Sequence, residues 1–278
     1  NKIFFNLDLK VKPCDDFYRF ACGGWIKRHA KKRKSNISVL IKMQRDIDLK
    51  LKYLLEEKLT GKEPSFISMV NELYDSCMDE DALEETGIKD FMQNLEYLGG
   101  WPMVNGANWT PDTVDWIEVL IRIRNLGNNH NILMKLSVTI DPDNSTAHII
   151  QLGKPSFAIL GKYLLRNLTD SVINTYLTSM TIIAEVLGSE LLPVEQTYRA
   201  IKFEMELAKM SLLNIEERKK DMNKKYTVRQ LMDEVNKIDW LRYFNGLLNN
   251  DISENEIVLV QDIHFMRKLA DFMETADR

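Results

Sequence analysis

Apolar residues recur every three or four positions along most of this chain. Leu40, Met43, Ile47, Leu51 and Leu54 share one face of a long helix expected from about Ser38 to Leu59, ending near Gly61. A second helix follows Pro64 with Phe66, Met69, Leu73 and Cys77 on one stripe, and a third runs from Pro111 to Leu126 and stops at Gly127. Longer helices are expected from about Asp170 to Leu187 and from Pro193 to Leu212. In the latter, Val194, Tyr198, Ile201, Met205, Ala208 and Leu212 hold near-ideal spacing. Shorter helices are expected at Val228–Val235 and Phe265–Met273.

One segment follows a period of two instead. Ile132, Met134, Leu136, Val138 and Ile140 alternate with Lys135, Ser137 and Thr139; a turn at Asp141-Pro142-Asp143-Asn144 leads into His148-Ile149-Ile150-Gln151-Leu152. The fold expected is therefore mainly α with one small β-hairpin at about 132–152. No repeat, low-complexity tract or interdomain linker interrupts it, which favours a single helical unit.

Composition adds little to this picture. The 278 residues are 45% hydrophobic and 28% charged, enough to bury a core. A net charge of −4 argues against nucleic acid as a partner. No apolar run approaches the ~18 residues of a membrane span, and Asn1-Lys2-Ile3-Phe4-Phe5-Asn6 has no signal-peptide pattern.

The N-terminal run Pro13-Cys14-Asp15-Asp16-Phe17-Tyr18-Arg19-Phe20-Ala21-Cys22-Gly23-Gly24-Trp25 is the densest local signal. It reads as a short helix with Asp15 and Asp16 at its positive end, Phe17, Phe20 and Ala21 on an apolar stripe, and Gly23 as a stop. On such a helix Cys14 and Cys22 stand ~12 Å apart, beyond the ~7 Å limit for a disulfide. Cys77 is the only other cysteine, so the odd count leaves at least one thiol without a partner within the chain.

This run resembles the N-terminal signature of the neprilysin-like zinc endopeptidases, the M13 family. The likeness continues in order through Leu73-Tyr74-Asp75-Ser76-Cys77-Met78-Asp79, Leu98-Gly99-Gly100-Trp101-Pro102, Glu216-Glu217-Arg218-Lys219-Lys220-Asp221, Tyr226-Thr227-Val228-Arg229-Gln230-Leu231 and Ile238-Asp239-Trp240-Leu241-Arg242-Tyr243-Phe244-Asn245. It covers nearly the whole chain, but only the N-terminal portion of a complete member. The resemblance implies one helical lobe of a two-lobed peptidase. Residues 1–34 would pack on the catalytic lobe and 35–278 would form the helical lobe that restricts access to short peptides. It also implies zinc in the complete enzyme, on a C-terminal catalytic domain outside this chain, where zinc-activated water attacks the bond before a hydrophobic residue.

By the same resemblance, Cys14 and Cys22 pair with partners near the C-terminus of the catalytic portion and Cys77 with a later residue, all beyond Arg278. Three free thiols are the alternative. The compartment implied is extracellular, as a secreted protein or the ectodomain of a type II membrane protein, with membrane contact only through an N-terminal anchor outside these residues. A secreted, catalytically inactive binding or decoy module of the same descent is the rival reading.

The chemistry within the chain is sparse. The family's zinc is held by two histidines four apart on an HExxH helix, whose glutamate activates water, and by a downstream glutamate. The four histidines here, His29, His130, His148 and His264, contain no such pair, so neither catalytic nor metal-binding residues are expected. Of these, His148 has the strongest claim to burial. Asp79-Glu80-Asp81 with Glu84 and Glu85 lacks the spacing of a calcium loop and reads as a solvated helix end.

The basic run from Lys27 to Lys34 reads as a solvated loop rather than a polyanion site. Family members carry a peptide-contacting arginine in this region; in gap-free register its position falls on Ile37, with Arg33 and Lys34 nearby but out of register. Four sequons, at Asn36, Asn108, Asn144 and Asn167, are N-glycosylation candidates, with polar caps and turns as the alternative use of the same residues. At Asn108 the following Thr110-Pro111 also reads as a helix start.

Overall fold

The computed structural model describes residues 2–29, 38–106, 109, 115–189 and 193–276. The chain divides into two compact units, Asn1–Glu85 and Thr86–Arg278.

The first unit is helical. Short α1 (Lys2–Asn6) lies against α2 (Phe17–His29), and α3 (Val39–Leu55) and α4 (Ser65–Met78) form a second helical pair. Ser38 caps α3 by accepting from the Ile41 N–H at 3.1 Å. The Asn71 carboxamide closes the end of α3 on the Leu55 carbonyl at 2.8 Å. No described residue of α3 or α4 is buried, so the stripe predicted at Leu40, Met43, Leu51 and Leu54 lies open. Next, α5 (Glu80–Thr86) begins where the Asp79 carboxylate accepts from the Ala82 N–H at 3.1 Å. The acidic run is a solvated helix end.

The second unit continues with α6 (Lys89–Tyr97), α7 (Pro102–Asn105) and α8 (Trp116–Asn125), then the hairpin β1 (Lys135–Asp141) and β2 (Asn144–Gly153). Helices α9 (Gly161–Leu164), α10 (Ser171–Val186), α11 (Pro193–Leu212) and α12 (Ile215–Arg218) precede β3 (Met222–Thr227). The unit ends with α13 (Val228–Glu234), α14 (Trp240–Leu248), β4 (Ile257–Asp262) and α15 (Ile263–Thr275). The expected hairpin is present, but it belongs to a larger four-stranded sheet of order β1-β2-β4-β3. Strand β4 pairs parallel with β2 through Ile150↔Val258 to Leu152↔Val260, and antiparallel with β3.

Two apolar clusters hold this unit together. The larger joins the sheet to α8, α13, α14 and α15 through Leu136, Leu152, Val258, Val260, Leu120, Leu231, Trp240, Phe244 and Leu269. The smaller packs Leu164, Ile173, Ile201, Met205 and Ala208 from α9, α10 and α11. Burying a side chain of this size stabilises by about 1.5–3 kcal/mol, so these two clusters carry most of the second unit's apolar burial.

Candidate functional site

The N-terminal signature is built by close backbone approach. Helix α2 runs through both glycines to His29; Gly23 is no stop. A Cβ on Gly23 would stand 2.6 Å from the Asp8 Cβ, and one on Gly24 2.6 Å from the Leu7 carbonyl oxygen. With that room, the Asp8 N–H donates to the Phe20 carbonyl at 2.7 Å, and the Asp8 carboxylate, 7% exposed as a residue, accepts from Lys27 Nζ at 2.6 Å. This hydrogen bond to Lys27, against the opposing effect of burial, holds the Asp8 carboxyl below its ordinary value. Arg28 reaches back to the Phe5 carbonyl and to Asn6 Oδ1. Trp25 stacks on His29 with ring centroids 4.3 Å apart.

Cys14 is exposed in the turn before α2, Cys22 is half-buried on it, and Cys77 is exposed near the end of α4; all three thiols are free.

The later resemblance blocks also prove to be joints. Gly99 and Gly100 take φ of +106° and +79° before Trp101, whose N–H donates to Asn105 Oδ1 at 2.7 Å, with Pro102 opening α7. Thr227 and Gln230 form a capping box at α13. In α14, Asp239 caps the helix, while Trp240, Tyr243 and Phe244 fill the core. Arg242 bonds the carboxylates of Asp115 and Glu118 on α8, which raises its own pKa. Burial raises the Tyr243 phenol, and its hydroxyl has no hydrogen-bond partner among the described residues.

The histidines are scattered over unrelated elements. His148, expected to be the most buried, is exposed near the outer end of β2, where it pairs with exposed Ile140. His130 is half-buried, and burial lowers its pKa. His264 Nε2 lies 3.0 Å from the Asp221 carboxylate. Among the described residues no three His, Cys, Asp or Glu side chains gather into a metal-binding set. These residues do not fit a zinc site, and no catalytic step is assigned to them.

What the second unit does offer is an open cavity of about 1210 Å³ beside α7, α11 and α15. Trp101, Met103, Trp109, Phe203 and Phe272 supply an apolar lining, with the Phe203 and Phe272 rings 5.0 Å apart. Its polar lining is mixed. Lys209 pairs with Glu206 at 2.6 Å, and Lys202 lies 4.4 Å above the Tyr198 ring. Aromatic walls with a few polar groups at the rim are the usual make-up of a ligand-binding cleft. The cavity draws residues from helices about 100 positions apart, a juxtaposition with no sequence signal beyond the aromatic content of Leu98-Gly99-Gly100-Trp101-Pro102.

Of the four sequons, Asn144 and Asn167 are exposed, while Asn36 and Asn108 lie outside the described residues, as do Ala30–Ile37.

The family model for peptidase family M13, in its N-terminal part, matches residues 13–278. Neprilysin-21 of Caenorhabditis elegans is 26% identical over 266 residues, which is 94% of this chain and 35% of that protein. An endothelin-converting enzyme homolog of Locusta migratoria is 30% identical over 282 residues, 96% of this chain and 38% of that protein. The open-state structure of the Mycobacterium tuberculosis zinc metalloprotease ZMP1 superposes with a TM-score of 0.65 at 15% identity, covering 96% of this chain and 41% of that one. The chain thus spans little more than a third of the length of these relatives. With the match running unbroken through every resemblance block, the chain belongs to peptidase family M13, of which it carries the neprilysin-like N-terminal domain.

Proposed function

We propose that these residues are the non-catalytic N-terminal portion of an extracellular zinc metalloendopeptidase of the neprilysin type. The carrying observation is the extent of the match: residues 13–278 align with the family's N-terminal part, while the chain spans only 35% and 38% of the length of two relatives. In this reading zinc and the peptide-cleaving residues belong to a C-terminal catalytic domain, which acts on short peptides before a hydrophobic residue. The portion described here shapes the cavity that admits them. Its exposed Cys14 and half-buried Cys22 anchor it to that domain through disulfides, and Cys77 pairs with a later residue. The free state of these thiols, with two of them exposed, is compatible with partners elsewhere in a longer chain.

The test is a charge reversal at the cavity. Lys202→Glu in the complete protein is expected to raise KM for acidic peptides while leaving kcat on a short neutral peptide unchanged. Equal KM values for acidic and neutral peptides before and after the change would remove the cavity from the substrate path.

A further inference from the structure

We infer that Asn144 is an N-glycosylation site, and that the tip of the β1–β2 hairpin therefore stays in solvent in the complete protein. The inference rests on the extracellular reading above, because the oligosaccharide is transferred only inside the secretory compartment.

The sequon Asn144-Ser145-Thr146 is already in an acceptor arrangement. The Thr146 hydroxyl donates to Asn144 Oδ1 at 2.8 Å, and the Thr146 N–H donates to the same oxygen at 3.2 Å. Both bonds draw electron density toward Oδ1 and make the Nδ2 protons easier to lose. All three sequon residues are exposed. The contacts span only two positions, so the arrangement is local and forms without the rest of the fold.

The tip itself is held from below. Asp143 N–H donates to Asp141 Oδ1 at 2.9 Å, and Lys225 Nζ bridges Asp141 and Asp143 at 2.6 Å each. These bonds occupy the acidic side chains of the turn, while Asn144 itself is exposed. The other described sequon differs. Asn167 is exposed, but its central residue Leu168 packs against the α9–α11 cluster and lines the large cavity. A glycan there must be accommodated beside packed structure, whereas one on Asn144 projects from a hairpin end.

In the transfer step, Asn144 Nδ2 attacks the anomeric carbon of a lipid-linked pyrophosphoryl oligosaccharide. The nitrogen–carbon bond forms, the bond from that carbon to the phosphate oxygen breaks, and the lipid pyrophosphate leaves with the electron pair. Nδ2 gives up one proton to the transferase. The product is a bulky polar group of the kind that marks a solvated surface.

The experiment expresses the full chain behind a secretion signal in a glycosylating eukaryotic cell, with a proven acceptor sequon appended as an internal control. Its peptides are then treated with a peptide N-glycan amidase in heavy-oxygen water, which hydrolyses the glycan-bearing side-chain amide, releases the glycosylamine and leaves an oxygen-labelled aspartate at each formerly glycosylated asparagine. The expected result is a marked Asn144, one glycan lost from the mobility of Asn144→Gln, and the same loss in Thr146→Ala. A marked control beside an unmarked Asn144 would overturn the inference. Because the signal supplies the compartment, that failure differs from failure of the extracellular reading, which is read from the natural protein's own location.

Discussion

At the scale of single residues, the Gly23-Gly24 pair shows how far local chemistry reaches. A glycine after an apolar stripe signals a helix end, yet α2 continues past both, because their missing Cβ atoms admit the 5–8 backbone. Nothing local distinguishes these uses; the difference lies in a partner fifteen or more residues away. Gly24→Ala is expected to cost about 1–3 kcal/mol by overpacking and to free the first twelve residues for proteolysis, as followed by timed digestion. An unchanged digestion pattern would contradict the close approach. Tyr243 gives the opposite case. Its phenol is fully buried and has no hydrogen-bond partner among the described residues, so Tyr243→Phe is expected to leave stability unchanged or to raise it by about 1 kcal/mol in urea unfolding. Trp240→Ala, which also removes the 2.9 Å bond from Nε1 to the Val235 carbonyl, is expected to lose about 3–5 kcal/mol.

At the scale of elements, helical periodicity marked helices both where one face meets a core and, in α3 and α4, where no residue is buried. The periodicity from Pro193 to Leu212 and from Asp170 to Leu187 matches α11 and α10 within a residue. The hairpin was equally legible, since β1 and β2 alternate or turn as a half-covered pair must. Strand β4 was not. Its run Ile257-Val258-Leu259-Val260 has no alternation because the strand is central and covered on both faces, with Val258, Leu259 and Val260 all buried. A short unbroken apolar run bounded by polar residues was the available signal. His148 failed for a related reason: it sits in a real strand, but beyond the stretch that the helices cover.

The same contrast fixes expected stabilities. Leu269→Ala in buried α15 is expected to cost about 2–5 kcal/mol, whereas Leu51→Ala in open α3 is expected to stay within about 0.5 kcal/mol, both read from urea midpoints of residues 1–278. The joint between β3 and α15 adds a pH dependence. Hydrogen bonds from Lys224 and then His264 bring the Asp221 carboxyl down to about 2 from 3.8. Because the folded value is the lower one, its stabilisation is complete above the unfolded value and is lost as pH falls toward 2. The stability difference between the natural protein and Asp221→Asn should therefore hold steady from pH 7 to pH 5 and shrink between pH 4 and pH 2. A difference that persisted at pH 2 would contradict the pairing.

At the scale of the whole molecule, a coherent picture joins these parts. The resemblance blocks supply caps, glycine approaches and ion pairs that assemble helices. The cavity beside α7, α11 and α15 has binding chemistry, aromatic and charged, without a nucleophile or metal-binding set among the described residues. What the sequence made legible was the family, through ordered short blocks; what it left dark was the cavity, which depends on packing between helices distant in the chain.

The central claim is the proposed division of labour, and peptide cleavage tests it most directly. Purified residues 1–278 and the complete protein are incubated side by side with added zinc and a short peptide containing an internal hydrophobic residue. The account predicts chelator-sensitive cleavage on the amino side of that residue by the complete protein and none by residues 1–278. Chelator-sensitive cleavage by residues 1–278 alone would contradict it.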